Sequence, residues 1–118
     1  MSAPLAHFEL MCDAPEKMQA FYGNVFGWQF DNNVMPGYTL VSTGAQPGGG
    51  LMKRPPQAPT SMMHVYFKVA NIEETMKKVE QGGGTQAVPR TPIPGVGSYA
   101  FFKDPEGVIV GLFEEGPR

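Results

Sequence analysis

Apolar and polar residues alternate in two stretches, and each stretch begins with one of the two histidines of the chain. The apolar positions recur at every second residue; they are Phe8, Leu10 and Cys12 in the first stretch and Val65, Phe67 and Val69 in the second. This period predicts two strands, each with an apolar face. The opposite face then carries His7 and Glu9 in one strand and His64, Tyr66 and Lys68 in the other.

A helix is predicted after each strand. Asp13 and Glu16 have capping-box spacing, as do Asn71 and Glu74 in the second stretch, and Pro15 suits a first helical turn. Apolar residues then recur at helical spacing; they are Met18, Phe21, Tyr22 and Val25 in the first helix and Ile72, Met76 and Val79 in the second. The glycines at 82–84 are expected to end the second helix.

Three short strand-like runs follow each helix. They are "WQF", "GYTLVS" and "GGLMK" in the first half and "QAV", "SYAFFK" and "VIVGLFEE" in the second, where "DPEG" forms a tight turn. The sequence therefore predicts an α+β fold of two βαβββ units, at 1–55 and 62–118, with a linker at 56–61. Two such units curling toward each other, or toward a second chain, would form a curved mixed sheet with a concave trough.

Composition narrows the class of protein. With 118 residues, of which 42% are apolar and 17% charged, the chain is expected to be a single globular domain. A net charge of −2 and the lack of a basic stripe argue against a nucleic-acid partner. No apolar run approaches the roughly 20 residues of a spanning helix, and no signal-peptide pattern is present. We therefore expect a cytoplasmic protein without a membrane partner, and a lone Cys12 that serves as a core side chain.

Three motifs resemble one protein family. "FYGNVFGW" at 21–28, "HVYFKVANIEE" at 64–74 and "DPEG" at 104–107 resemble the glyoxalase/bleomycin-resistance/dioxygenase group, also called the vicinal oxygen chelate superfamily. The resemblance covers nearly the whole chain and is strongest to glyoxalase-like bacterial proteins of unknown substrate. It implies the two-unit fold, a small-molecule ligand and a homodimer.

The resemblance also implies a divalent metal ion in the trough, held by the first and last strands of each unit. His7 and His64 match the first-strand ligands, and imidazole suits Zn, Ni, Fe and Mn alike. Both carboxylates expected in the last strands are replaced, by Gly50 and Gly111. Glu114 lies three residues beyond Gly111 and is expected on the other face of its strand.

The sequence leaves two main functions and a third class open. One is a metal-dependent lyase, isomerase or dioxygenase, in which Glu9 completes a set with His7 and His64 or acts as a base. The other is a metal-free protein that binds a small molecule or an antibiotic, with a trough enlarged by the glycines. Its ligand-binding residues would be Tyr66, Lys68, Gly50 and Gly111. The third class is a subunit whose trough serves assembly.

Overall fold

The computed structural model describes residues 2–116, which form two helices and eight strands. The first half contains β1 (Leu5–Cys12), α1 (Pro15–Phe26), β2 (Gln29–Met35), β3 (Tyr38–Ser42) and β4 (Gly49–Lys53). The second half contains β5 (Met62–Lys68), α2 (Ile72–Gln81), β6 (Thr85–Ile93), β7 (Gly97–Lys103) and β8 (Ile109–Glu115). This order confirms the predicted α+β fold of two βαβββ units. Neither helix within residues 2–116 is long and apolar enough to cross a membrane.

The chain divides into two compact units. We call His7–Met63 the first unit; the second unit combines the residues up to Ala6 with those from His64 onward. The predicted linker at 56–61 therefore falls within the first unit. Arg54 ties part of this segment down, because its guanidinium donates to the backbone oxygen of Ala58 and pairs with Asp13 at 3.1 Å.

The first unit has a mixed four-stranded sheet in the order β2-β3-β4-β1, in which only the β1–β4 pair is parallel. Its core is Leu10, Cys12, Val41 and Leu51, against which Phe8, Met18, Tyr22, Trp28 and Phe30 pack. Cys12 is a core residue, as predicted, and burial raises the pKa of its thiol.

Two features of α1 differ from the prediction. Ala14 is the N-cap and no side chain caps the helix. Asp13, the predicted cap, lies one position too early and pairs with Arg54 instead. Of the apolar residues at helical spacing, Met18 and Tyr22 pack on the core, whereas Phe21 and Val25 are more than half exposed.

The second unit has the corresponding mixed sheet in the order β5-β8-β7-β6, with only the β5–β8 pair parallel. Its core is Ile72, Met76, Ala100 and Leu112, with Phe67, Val69, Val79 and Phe102 against it. Asn71 caps α2 as predicted, since its side chain accepts from the Glu74 N–H at 3.0 Å. The helix ends at Gln81, directly before the glycines, and the Gly107 N–H donates to the Asp104 carbonyl to close the "DPEG" turn.

Candidate functional site

In the first unit, polar side chains gather on the sheet face that points away from α1. Phe8, Leu10 and Cys12 pack on the helix side. His7 and Glu9 therefore lie on the opposite face, as the alternation predicts. The Glu9 side chain is nearly buried there, and the residue is only 7% exposed.

Tyr38 joins these two residues. Its hydroxyl lies 2.8 Å from His7 Nε2 and donates to Glu9 Oε2, also at 2.8 Å. Because a phenol has a single hydroxyl hydrogen, its oxygen must accept from His7 in this arrangement. His7 therefore carries its proton on Nε2.

Gly50 makes this bridge sterically feasible. The residue is paired with Glu9 on β1 and with Leu40 on β3, and Tyr38 sits two residues from Leu40, diagonally across from Gly50. An aromatic side chain can reach such a diagonal neighbour. The Tyr38 ring crosses β4 over Gly50, where an added Cβ would lie 1.7 Å from the hydroxyl oxygen.

The protonation of Tyr38 follows from its surroundings. Burial, then the charge of Glu9 and the hydrogen bond to that carboxylate, raise the pKa of Tyr38 well above its ordinary value. Loss of the phenolic proton would place two negative charges side by side. Tyr38 therefore stays neutral and acts as a hydrogen-bond donor to Glu9 throughout the physiological pH range.

The second unit repeats this arrangement with aromatic partners. Gly111 on β8 is paired with Tyr66 on one side and Phe101 on the other. The two ring centroids lie 5.4 Å apart, and an added Cβ at Gly111 would be 2.3 Å from Tyr66 Cδ2. His64 meets the ring of Phe101 edge-on at 5.1 Å, and Tyr99 does the same at 5.8 Å. The result is an aromatic cluster over Gly111.

Two other charged residues singled out in the sequence, Lys68 and Glu114, have polar partners. Lys68 lies 3.4 Å from Glu115, and both side chains are exposed, so this ion pair contributes little to stability. Glu114 points to the helix side of the sheet, as predicted, and its Oε1 accepts from the Ile72 N–H at 2.8 Å. Glu114 thus holds the first residue of α2, and it lies on the opposite face from Gly111.

The arrangement of His7, Glu9 and His64 does not fit the binding of a divalent metal ion. No group of three or more His, Cys, Asp and Glu side chains within residues 2–116 could hold one ion. His7 and Glu9 are both bonded to the Tyr38 hydroxyl, and tyrosine rings cover the two glycines at the expected carboxylate positions. Metal binding by His7 and His64, and a role for Glu9 as a base, remain predictions.

Tyr38 is a site residue that was not predicted from the sequence. Its signal was weak, because "GYTLVS" shows only that Tyr38 and Leu40 share a strand face. The pairing of β3 with β4 was also needed to place Tyr38 over Gly50. The available signal is the pair of glycines itself, because a glycine on a covered sheet face leaves space for an aromatic ring from a neighbouring strand.

Comparisons with known proteins agree with the fold. The family model described as "Glyoxalase/Bleomycin resistance protein/Dioxygenase superfamily" matches residues 5–112. "Putative glyoxylase CFP32" of Mycobacterium tuberculosis, and the protein of that name from Mycobacterium bovis, are 32% identical to the chain over 101 residues. The match covers 80% of this chain and 39% of those proteins, so the chain spans about two fifths of their length.

Solved structures show the same architecture. A hypothetical protein of Bacillus halodurans, BH1468, superimposes with a TM-score of 0.75 at 17% identity, covering 100% of this chain and 98% of that one. Methylmalonyl-CoA epimerase from Mycobacterium tuberculosis gives a TM-score of 0.69 at 15% identity, covering 97% and 89%. At these identities the likeness concerns the fold alone. The family-model match over residues 5–112 shows that this protein belongs to the glyoxalase/bleomycin resistance protein/dioxygenase superfamily.

Proposed function

We propose that this protein binds a small organic molecule, without a metal ion, on the sheet face that carries His7, Glu9 and Tyr38. The observation that carries this proposal is the Tyr38 hydroxyl, which lies 2.8 Å from both His7 Nε2 and Glu9 Oε2. His7 and Glu9 would be the metal ligands on this face. Both are hydrogen-bonded to the phenol of Tyr38, so a metal ion would have to displace the phenol. Membership of the superfamily supports a small molecule as the ligand.

The chemistry of this face indicates what kind of molecule would bind. It offers an imidazole, a neutral phenol and a carboxylate, while Leu40 beside them is 40% exposed. A few polar groups next to apolar surface are typical of small-molecule sites. A ligand with a hydrogen-bonding group and an apolar part fits this description. The second unit, taken by itself, has its own candidate ligand-binding residues: Tyr66 and Phe101 would favour a planar ring, and Lys68 an acidic group.

A metal-dependent lyase, isomerase or dioxygenase is the second candidate. The similarity to the relative named "Putative glyoxylase CFP32" favours it. The nearly buried carboxylate of Glu9 would then serve as the base. This candidate requires His7 and Glu9 to exchange their bonds to Tyr38 for other partners.

The test is the heat-unfolding midpoint, Tm, measured in EDTA with metal-free bleomycin and a panel of small aromatic acids and amines. Wild type is compared with Tyr38→Phe, and with Tyr22→Phe as the matched control, since Tyr22 stacks on Trp28 on the helix side. A ligand at a hundredfold excess over its Kd adds about 2.7 kcal/mol of stability. We expect at least one compound to raise Tm in wild type and in Tyr22→Phe, but less in Tyr38→Phe.

Other outcomes would contradict the proposal. An equal shift in Tyr38→Phe would remove Tyr38 from the site. No shift in EDTA, followed by a shift on adding Zn²⁺, Ni²⁺, Fe²⁺ or Mn²⁺, would favour the metal-dependent candidate. The proposal also includes a homodimer and a cytoplasmic location, which rest on the family resemblance and on composition; light scattering and cell fractionation would check them.

A further inference from the structure

A second polar cluster lies inside the other unit, under the start of α2. It consists of Arg90 on β6, Ser98 on β7 and Glu114 on β8. Ser98 is 1% exposed, Glu114 is 3% exposed and the Arg90 side chain is 20% exposed. Burial of three polar side chains in one place is costly unless their hydrogen bonds are satisfied.

The strand register brings these three residues to one face of the sheet. Ser98 is paired directly with Glu114, so both point toward α2. The β6–β7 register shifts between Val88 and Thr91. Val88 is paired with Phe101 and Thr91 with Tyr99, so β6 has two residues between these pairs where β7 has one. Such a bulge re-aims a side chain. It directs Arg90 to within 4.0 Å of the Glu114 carboxylate.

Two polar atoms of the cluster, on Arg90 and Ser98, lack a hydrogen-bond partner among the described residues. Glu114 Oε1 accepts from the Ile72 N–H, but Arg90 Nε and Ser98 Oγ are buried without a hydrogen-bond partner there. The 4.0 Å between Arg90 Nε and Glu114 Oε2 is too long for a direct hydrogen bond. Three strands therefore present a donor, an acceptor and a hydroxyl to one small volume.

We propose that Arg90 Nε, Ser98 Oγ and Glu114 Oε2 bind one internal water molecule. The water would accept from Arg90, donate to Glu114 and share its remaining hydrogen bond with Ser98. One oxygen can lie about 2.9 Å from both atoms of a pair that is 4.0 Å apart. The Glu114 carboxylate disfavours an anion in this volume and the Arg90 guanidinium disfavours a cation, which leaves a neutral molecule that both donates and accepts.

This water would link Arg90 to the carboxylate that accepts from the first N–H of α2. Arg90 and Ser98 are then positioning residues for Glu114, and through it for the start of the helix. Buried waters with about three protein partners are integral parts of folded proteins and are costly to remove. The inference concerns the helix side of the second unit, so it does not depend on the proposed ligand.

The sign of one Tm shift tests the proposal. If the water is bound, Ser98→Ala removes one of its partners, and Tm should fall by about 3–5 °C. If no water is bound, the same substitution deletes a buried hydroxyl that has no partner, and Tm should rise or stay constant. Ser61→Ala, at an exposed serine outside the helices and strands, is the matched control and should leave Tm unchanged.

A high-resolution crystal structure of the wild-type protein supplies the second readout. We expect an ordered water within about 3.2 Å of all three atoms. A direct hydrogen bond between Arg90 and Glu114 with no water beside Ser98 would overturn the proposal, even if Ser98→Ala lowered Tm. A Tm that rises or stays constant in Ser98→Ala would overturn it as well.

Discussion

At the scale of single residues, two glycines leave space that tyrosine rings from neighbouring strands fill. The sequence suggested that Gly50 and Gly111 enlarge a cavity. In the structure, Tyr38 fills the space over Gly50 and Tyr66 fills the space over Gly111. A side chain lost from one strand is thus compensated by a ring from a neighbouring strand, because a close-packed sheet surface leaves few voids.

Gly50→Ala should destabilise the protein only while Tyr38 is present. The new Cβ would meet the hydroxyl at 1.7 Å, and this hydroxyl is held by His7 and Glu9, so the ring cannot move freely. We expect a loss of about 1–3 kcal/mol in the wild-type background, as for overpacking, and a much smaller loss in Tyr38→Ala. Urea unfolding of the four proteins of this double-mutant cycle measures the coupling. Additive effects would mean that Tyr38 does not occupy the space over Gly50.

Tyr38 should also make stability depend on alkaline pH. Its pKa is raised in the folded state above the ordinary value of about 10. Above that pH the unfolded chain releases the Tyr38 proton while the folded protein retains it. The stabilisation is therefore fully present below about pH 10 and is lost as pH rises, by at most about 1.4 kcal/mol per pH unit.

The measurement is the free energy of unfolding in urea between about pH 9 and 11.5, the range around the ordinary tyrosine pKa. Tyr38→Phe should lose less stability over this range than wild type, because it lacks the titrating phenol. Tyr22→Phe controls for the removal of a hydroxyl elsewhere and should follow wild type. Parallel curves for all three proteins would contradict the buried, hydrogen-bonded state of Tyr38.

At the scale of secondary-structure elements, two glycines of α1, four residues apart, should respond to alanine substitution with opposite changes in stability. Gly23 lies inside the helix, and an added Cβ would have ordinary contacts at 3.6 Å. Gly23→Ala should therefore stabilise the protein by about 0.5–1 kcal/mol. Gly27 is the C-cap with φ of 72°, a left-handed conformation that alanine adopts only with strain. Gly27→Ala should lower stability by about 1 kcal/mol.

Thermal unfolding of the two variants checks this prediction, each protein serving as the control for the other. A destabilising Gly23→Ala would mean that the helix face at this position is more crowded than its 3.6 Å contacts indicate. A neutral Gly27→Ala would mean that α1 can end without the left-handed residue.

The two helices also show which features of an element could be predicted from the sequence. For α2, the cap at Asn71, the apolar stripe through Ile72 and Met76 and the glycine stop agree with one another, and all are observed. For α1, Asp13 has the right spacing to Glu16 but the wrong position relative to the helix start, and Arg54 competes for it. A local pattern predicts an element well, whereas a distant partner cannot be read from that pattern.

At the scale of the whole molecule, two halves with the same element order have different chemistry over their glycines. The repeat of strand, helix and three strands was predictable, because periodicity and turn residues are local signals. The bridge from His7 through Tyr38 to Glu9 was not, because it depends on the pairing of β1 and β3 with β4. Over Gly111, in the second half, the rings of Tyr66 and Phe101 meet.

This difference leads to a prediction for the metal content of the intact protein. Because Tyr38 occupies His7 and Glu9 and the carboxylate positions are glycines, untagged protein purified without chelators should contain no stoichiometric Zn, Ni, Fe or Mn by elemental analysis. EDTA should leave its Tm unchanged, and the His7→Ala/His64→Ala double variant should match wild type in metal content. One ion per chain in wild type, lost in the double variant, would instead make the histidines ligands. The metal-dependent reaction would then return as the leading function, with Glu9→Gln as the next variant to assay.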